Sequence, residues 1–193
     1  MERGATLFMN KRRFRADDPE RKRWQDPEKI FSAIGLSAGM TFVDIGCGEG
    51  YFTIPAAQRV GPGGKVFAAD INPDAVAALW KDAADKGLKN VSAEVKAAEE
   101  TIACEGCADI VFFGIDLHDF ADPKKVIRNA RRMLKPSGRL VDLDWNDEPM
   151  DFGPPAEKRF SVDKARQMIA DEGFRILSVQ EAGIYHYLIS AGC

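Results

Sequence analysis

Apolar residues follow two rhythms along this chain, and their alternation predicts the fold. Short, largely apolar runs at Thr41 to Ile45, Lys65 to Ala69, Val91 to Val95, Asp109 to Phe113 and Arg139 to about Trp145 have the length and β-branched or aromatic content of buried strands. Between them lie segments with helical spacing. Asp26 to Ile34 carries Pro27 at its first position and Gly35 just past its end, and Phe52 to Val60 tolerates Pro55 within its first turn. Asn72-Pro73-Asp74 spells an N-cap opening a helix that runs to Lys86 and stops at Gly87. Asp122-Pro123 repeats that start before a face of Val126, Ile127, Ala130, Met133 and Leu134. Ser161 to Glu172 is a last amphipathic helix, with Val162, Ala165, Met168 and Ile169 as its stripe. Gly61-Pro62-Gly63-Gly64 and Pro136-Ser137-Gly138 read as turns, and Asn146 to Ala156 as a polar loop. Phe174 to Gln180 and Ile184 to Ser190 read as a hairpin closing the sheet. Strand and helix alternate throughout, which predicts an α/β fold with a doubly wound, mostly parallel sheet.

The first strand breaks into alternating glycines: Val43-Asp44-Ile45-Gly46-Cys47-Gly48-Glu49-Gly50. Glycines there let the backbone approach a ligand where a Cβ would clash, and the next helix aims its N-terminus at the same place. The spacing is G-x-G-x-G. A dinucleotide fingerprint would be G-x-G-x-x-G, with an acidic residue about 20 positions on. Here the second strand ends at Asp70, followed by Ile71.

These residues resemble the first two motifs of the class I S-adenosylmethionine-dependent methyltransferases. Further on, Ala108 to Phe113, Leu117-His118-Asp119-Phe120-Ala121-Asp122-Pro123 and Arg132 to Leu140 are similar to the downstream motifs of the quinone-biosynthesis branch of that family. The resemblance runs from about Asp26 to Ala191. It implies a Rossmann-like doubly wound seven-stranded sheet, mostly parallel with an antiparallel last strand, and S-adenosylmethionine as cofactor. It departs from the family after strand three, where the aspartate that usually binds the adenine amino group aligns with Ala98. Glu99, with its longer side chain, or the backbone alone is left to hold the adenine.

In an open parallel sheet a ligand binds beyond the carboxyl ends of the strands, where their order reverses. The expected cofactor residues are therefore Asp44, Gly46, Cys47, Gly48, Asp70, Ile71, Ala98, Glu99 and Gly114. Asp70 is placed to accept from both ribose hydroxyls, and Asp44 either braces the loop or meets the cofactor's ammonium through water. Methyl transfer from a sulfonium is an in-line displacement on an activated electrophile, so alignment and exclusion of water carry most of the catalysis. A base is needed only for an acceptor that is protonated at working pH. His118 is the first candidate catalytic residue and Asp116 the second, each with the alternative of merely shaping its loop. Asp142 and Asp144 share one face of strand five; with Asp116, Asn146 and Asp147 they suggest a magnesium site, but no metal is expected because the rest of the chain resembles a metal-independent branch. Tyr185 and His186 read as sheet residues of the closing hairpin.

The chain has 193 residues, enough for one substantial core, and divides into a basic N-terminal arm or lid (1–25) and a cofactor-binding domain (26–193). In the arm, Lys11, Arg12, Arg13, Arg15, Arg21, Lys22 and Arg23 sit beside Phe14 and Trp24. They form either a solvated basic segment or a cover suited to an anionic or membrane-surface substrate. A net charge of −3 does not favour a general nucleic-acid binder, and no run is long enough for a membrane span. The expected location is cytoplasmic and the expected state a monomer or homodimer. Cys104 and Cys107 form a C-x-x-C in a loop before a strand, where plain loop cysteines are expected. No Asn-Pro-Pro-Tyr or Pro-Cys motif points to a nucleobase acceptor, which leaves a small molecule. The alternatives are a cofactor-binding protein without catalysis, and a nicotinamide-dependent oxidoreductase, which the glycine spacing opposes.

Overall fold

A computed structural model describes residues 21–150 and 153–193. Seven strands form one sheet: β1 Thr41–Ile45, β2 Lys65–Asp70, β3 Val91–Val95, β4 Ala108–Gly114, β5 Leu134–Trp145, β6 Arg175–Ala182 and β7 His186–Gly192. Their order is β3-β2-β1-β4-β5-β7-β6, parallel from β3 to β5, with β7 antiparallel to both its neighbours. The order reverses between β1 and β4, so a crevice opens beyond their carboxyl ends.

Helices cover both faces. On one side lie α2 Pro27–Ala33, α3 Thr53–Val60 and α4 Pro73–Asp85; on the other lie α5 Pro123–Met133 and α6 Val162–Asp171. A four-residue helix, α1 Arg21–Trp24, precedes them. The caps are those that the sequence spells. Asp26 accepts from Glu28 N, Asn72 from Asp74 N and Ala75 N, Asp122 from Lys125 N and Ser161 from Lys164 N. Each satisfies a backbone donor that the first helical turn leaves open.

Alternation along the strands sorts the core into two clusters. Phe42 and Phe112 point to the face shared with Phe31, Phe52 and Leu79; Val43, Ile45, Val111 and Phe113 point to the face shared with Ile127, Met133 and Ile169. Phe31, Phe42, Phe52 and Phe112 stack edge to face or tilted, with ring centroids 5.0–6.3 Å apart. Gly114 ends β4 beneath this group. A Cβ there would stand 2.9 Å from Phe52 Cδ2 and 2.7 Å from Phe112 Cε1, so packing alone demands glycine.

Two expectations are corrected. Strand five starts at Leu134 rather than Arg139, because Leu134 pairs with Ala108 before the register shifts and resumes at Arg139 with Ile110. Pro136-Ser137-Gly138 is absorbed into that irregularity, with Gly138 pressed against the Ala108 carbonyl. Cys104 and Cys107 are not separate loop thiols: they form a disulfide with Cα atoms 5.9 Å apart, the chain doubling back through Gly106 at φ +60°. Of the basic arm, Lys11, Arg12, Arg13, Phe14 and Arg15 lie outside the described residues. No helix among the described residues is long and apolar enough to cross a membrane.

Candidate functional site

The glycine turn leaves β1 with Gly46 at φ +81°, Gly48 at +51° and Gly50 at +92°, a left-handed path that side chains disfavour. It folds back on β2. Gly46 N and Cys47 N both donate to Ala69 O, at 2.8 and 3.0 Å, and Gly48 N donates to Asp70 Oδ2 at 2.7 Å. The Gly46, Cys47 and Gly48 donors are therefore spent inside the protein and do not face a ligand.

What faces the crevice instead is carboxylate. Asp70 accepts from Gly48 N through one oxygen and from Asn72 N through the other, at 2.8 Å, leaving lone pairs of both for a diol. Asn72 caps α4, so Asp70 is free of that duty. Asp44 is buried, and Thr53 Oγ1 donates to it at 2.6 Å across the start of α3. Burial raises its pKa from 3.8 to about 7, against the lowering effect of the Thr53 bond, with Asp70 adding to the rise. Cys47 is buried, its thiol pushed up by burial and by Asp44, Asp70 and Asp116. It lines the turn as an inert group.

Asp116 stands over the turn from the far side. A Cβ on Gly46 would lie 2.6 Å from Asp116 Oδ2, so glycine at 46 makes room for that carboxylate. Asp116 Oδ2 is buried without a hydrogen-bond partner. Burial, then Asp44, Asp144 and Asp70, hold its pKa well above the usual carboxylate range. The turn that delivers it includes Ile115 at φ +76°, the one non-glycine residue with positive φ among those described. For a β-branched residue this is a strained backbone, anchored by Ile115 N donating to Leu143 O at 2.7 Å.

His118 lies in the following 3-10 turn, Leu117–Asp119, with its ring almost wholly buried. Its Nδ1 sits 2.7 Å from Asp144 Oδ1, and Asp144 also accepts from His118 N at 3.2 Å and Trp145 N at 2.8 Å. Burial works against the charged ring, but the Asp144 hydrogen bond and charge outweigh it and raise the His118 pKa. A proton held at Nδ1 leaves Nε2 as the free side, 3.6 Å from Asp119 Oδ2. Asp144 is thus the orienting carboxylate of a histidine–aspartate pair, a role not assigned from its strand position. The signal was present only in the two-residue period that turns Asp142 and Asp144 to one face. Asp142 itself is fully buried, its pKa pushed well above the usual carboxylate range by burial and by Asp144, with neither oxygen in a well-formed hydrogen bond.

The remaining predicted residues divide. Ile71 is 74% exposed just past Asp70, an apolar surface at the end of β2. Ala98 opens a 3-10 turn and packs partly buried against the second core. Glu99 follows it, but its carboxylate accepts from Asp122 N at 3.1 Å, toward α5. Gly114 lies under Phe52. At the other end, α1 reaches the site from the N-terminal side: Arg21 stacks 3.7 Å above the Tyr51 ring, Trp24 lies 5.5 Å from Trp145, and Gln25 Nε2 is 3.0 Å from His186 Nε2. His186, stacked on Trp24 and buried, is pulled down to a pKa of about 3 by burial. Among the described residues no cluster of histidine, cysteine and carboxylate side chains could hold a metal ion.

A turn whose Gly46, Cys47 and Gly48 donors are taken up within the protein, ringed by carboxylates, suits a cationic ligand better than a pyrophosphate. The family model for a methyltransferase domain matches residues 36–170, which take in the turn, Asp70, Asp116 and the His118–Asp144 pair. The chain belongs to the methyltransferase-domain family. This methyltransferase domain is 32% identical to a SAM-dependent methyltransferase from Aquifex aeolicus, whose structure superposes with a TM-score of 0.86 over 91% of this chain and 93% of that one. It is 36% identical over 112 residues to nocamycin O-methyltransferase of Saccharothrix syringae, and 34% identical over 114 residues to the ubiquinone/menaquinone biosynthesis C-methyltransferase UbiE of Idiomarina loihiensis. Those alignments take in 58% of this chain in both cases, and 40% and 45% of the two relatives. The methyltransferase domain therefore spans less than half the length of either.

Proposed function

We propose that this protein transfers a methyl group from S-adenosylmethionine to a small-molecule acceptor whose accepting atom carries a proton near neutral pH. The observation that carries the reading is the crevice of acceptors at the β1–β4 switch point, where Gly48 N is tied to Asp70 and the unpartnered Asp116 oxygen meets Gly46. The residues fit the cofactor: Asp70 offers lone pairs to a ribose diol, Ile71 an apolar face to an adenine, and Asp116 an unpartnered carboxyl oxygen to a sulfonium or ammonium. That cofactor, when bound, supplies an already activated methyl group, so the protein's part is alignment and exclusion of water.

His118 then removes the acceptor's proton through Nε2, while Asp144 fixes the ring through Nδ1. The names of the relatives favour such an acceptor, since one is an O-methyltransferase and another a quinone-pathway C-methyltransferase. Helix α1, the described end of the basic arm, serves as part of the cover, since Arg21 and Trp24 rest on Tyr51 and Trp145. Calorimetric titration with S-adenosylmethionine, S-adenosylhomocysteine and NAD tests the cofactor. Binding of the first two alone, lost in Asp70→Ala, is expected; binding of NAD alone would overturn the proposal. Turnover on hydroxylated aromatic acceptors, with loss of rate in His118→Gln but retained cofactor binding, tests the chemistry.

A further inference from the structure

We propose that Asp116 senses the positive charge of the bound cofactor: it gives up a proton when the sulfonium form binds and keeps it when the neutral demethylated product is bound, so that methyl transfer itself loosens the spent ligand. This rests on the cofactor reading above and goes beyond it to the control of exchange.

The geometry that supports it is a carboxyl group with nowhere else to spend its charge. Asp116 Oδ2 is buried and has no hydrogen-bond partner, yet it abuts Gly46, in the glycine turn at the β1–β4 switch point. It is held there at a cost, since Ile115 adopts φ +76° to turn the chain and is pinned by Leu143 O. Charged and titratable groups act on it from every side: Asp44 on β1, Asp70 at the end of β2, Asp144 on β5 and Arg21 on α1. The Cys47 thiol adjoins from the turn, and His118 in the same loop is committed to Asp144. Three of the four charges that reach Asp116 are negative, and together with burial they favour its neutral form in the ligand-free protein.

A cation brought against Gly46 reverses that balance. The O–H bond of Asp116 breaks, the proton leaves to solvent, and the carboxylate gains an electrostatic partner. The demethylated product carries one positive charge fewer, so the carboxylate recovers a proton from solvent as the product forms. No other reactant is needed.

The test is calorimetry of the intact protein in two buffers of different ionisation heat, titrated with S-adenosylmethionine and with S-adenosylhomocysteine from pH 6 to 9. Proton release is expected to be greater with the sulfonium ligand by up to about one proton. The ratio of the two affinities is expected to rise by up to about tenfold per pH unit below the point where Asp116 ionises in the free protein. In Asp116→Asn, checked for folding by circular dichroism, the excess proton should vanish and the ratio should become flat with pH. Equal proton release by the two ligands in the wild-type protein overturns the proposal, whatever the variant does. A wild-type excess that persists in folded Asp116→Asn also overturns it, since the proton then comes from Asp44 or another group. Failure of both ligands to bind the wild-type protein strikes instead at the cofactor reading beneath it.

Discussion

Replacing Asp44 with asparagine should stabilise the protein, and by an amount that grows with pH. Asp44 is buried at the end of β1, and its pKa rises from 3.8 to about 7 because burial disfavours the charge. The folded state therefore binds a proton that the unfolded chain releases between those values, and stability contributed by the neutral carboxyl is lost as pH rises through that window. At about 1.4 kcal/mol per pH unit, the full loss is about 4 kcal/mol. Asparagine keeps an oxygen for the Thr53 Oγ1 donor and removes the ionisation. The gap between Asp44→Asn and wild type, from urea unfolding at several pH values, is expected to be under about 1 kcal/mol at pH 4 and about 4 kcal/mol at pH 8. Asp116, Asp142 and His118, also raised, act in the same sense, and His186, lowered to about 3, in the opposite one. The contributions of Asp142, His118 and His186 are common to both proteins and cancel in the difference, whereas Asp116, which Asp44 helps to raise, ionises at lower pH in the variant. A gap that stays constant from pH 4 to 8 would refute the argument.

The chain has two histidines, and they should titrate in opposite directions. By NMR, His118 should titrate above the range of a free histidine and fall back in Asp144→Asn, whereas His186 should stay neutral down to about pH 3. Two ordinary titrations near pH 6.5 would contradict the pairing of His118 with Asp144 and the burial of His186. Gly46→Ala places a Cβ at 2.6 Å from Asp116 Oδ2 on a left-handed backbone; a stability loss of about 1–2 kcal/mol from the backbone alone, and cofactor affinity reduced tenfold or more, are expected by thermal unfolding and calorimetry. Affinity equal to wild type would mean that Asp116 is not pressed on the turn. Asp70→Ala removes the acceptor of Gly48 N and Asn72 N as well as the diol partner, so binding should weaken by about 1.5–3 kcal/mol per charge-assisted bond lost. Undiminished calorimetric affinity would exclude it from the site.

The parts of the fold that were legible in the sequence are those encoded locally. Asn72-Pro73 and Asp122-Pro123 state their helix starts in adjacent residues, and the caps form with the donors expected of them. The strand alternation likewise sets Phe42 and Val43 on opposite faces. Features that depend on which groups meet across the sheet were not legible. Nothing near Gly46, Cys47 or Gly48 says that their donors go to Ala69 and Asp70, so the turn could equally have been a phosphate cradle. Asp144 and His118 are 26 residues apart and become partners only because β5 lies beside β4. The early start of β5 was hidden because Pro136-Ser137-Gly138 has the composition of a turn, and only the pairing of Leu134 with Ala108 overrides it. Cys104 and Cys107 had the spacing of several chemistries, and the path of the loop between them decides for a disulfide.

The seventh strand in chain order occupies an interior slot of the sheet. β7, all seven residues of it buried, fills the space between β5 and β6, and β6 pairs with no other strand. Until synthesis has passed residue 192, β5 has an unpaired edge and β6 has nothing to join. Before β7 joins, the folding chain carries an apolar sheet half open, a species prone to edge-to-edge association. Early folding of the β1–β4 half can shelter much of the core, but completion of the sheet is a long-range event, and a break within β7 should leave β6 without its partner and the outer edge of β5 uncovered.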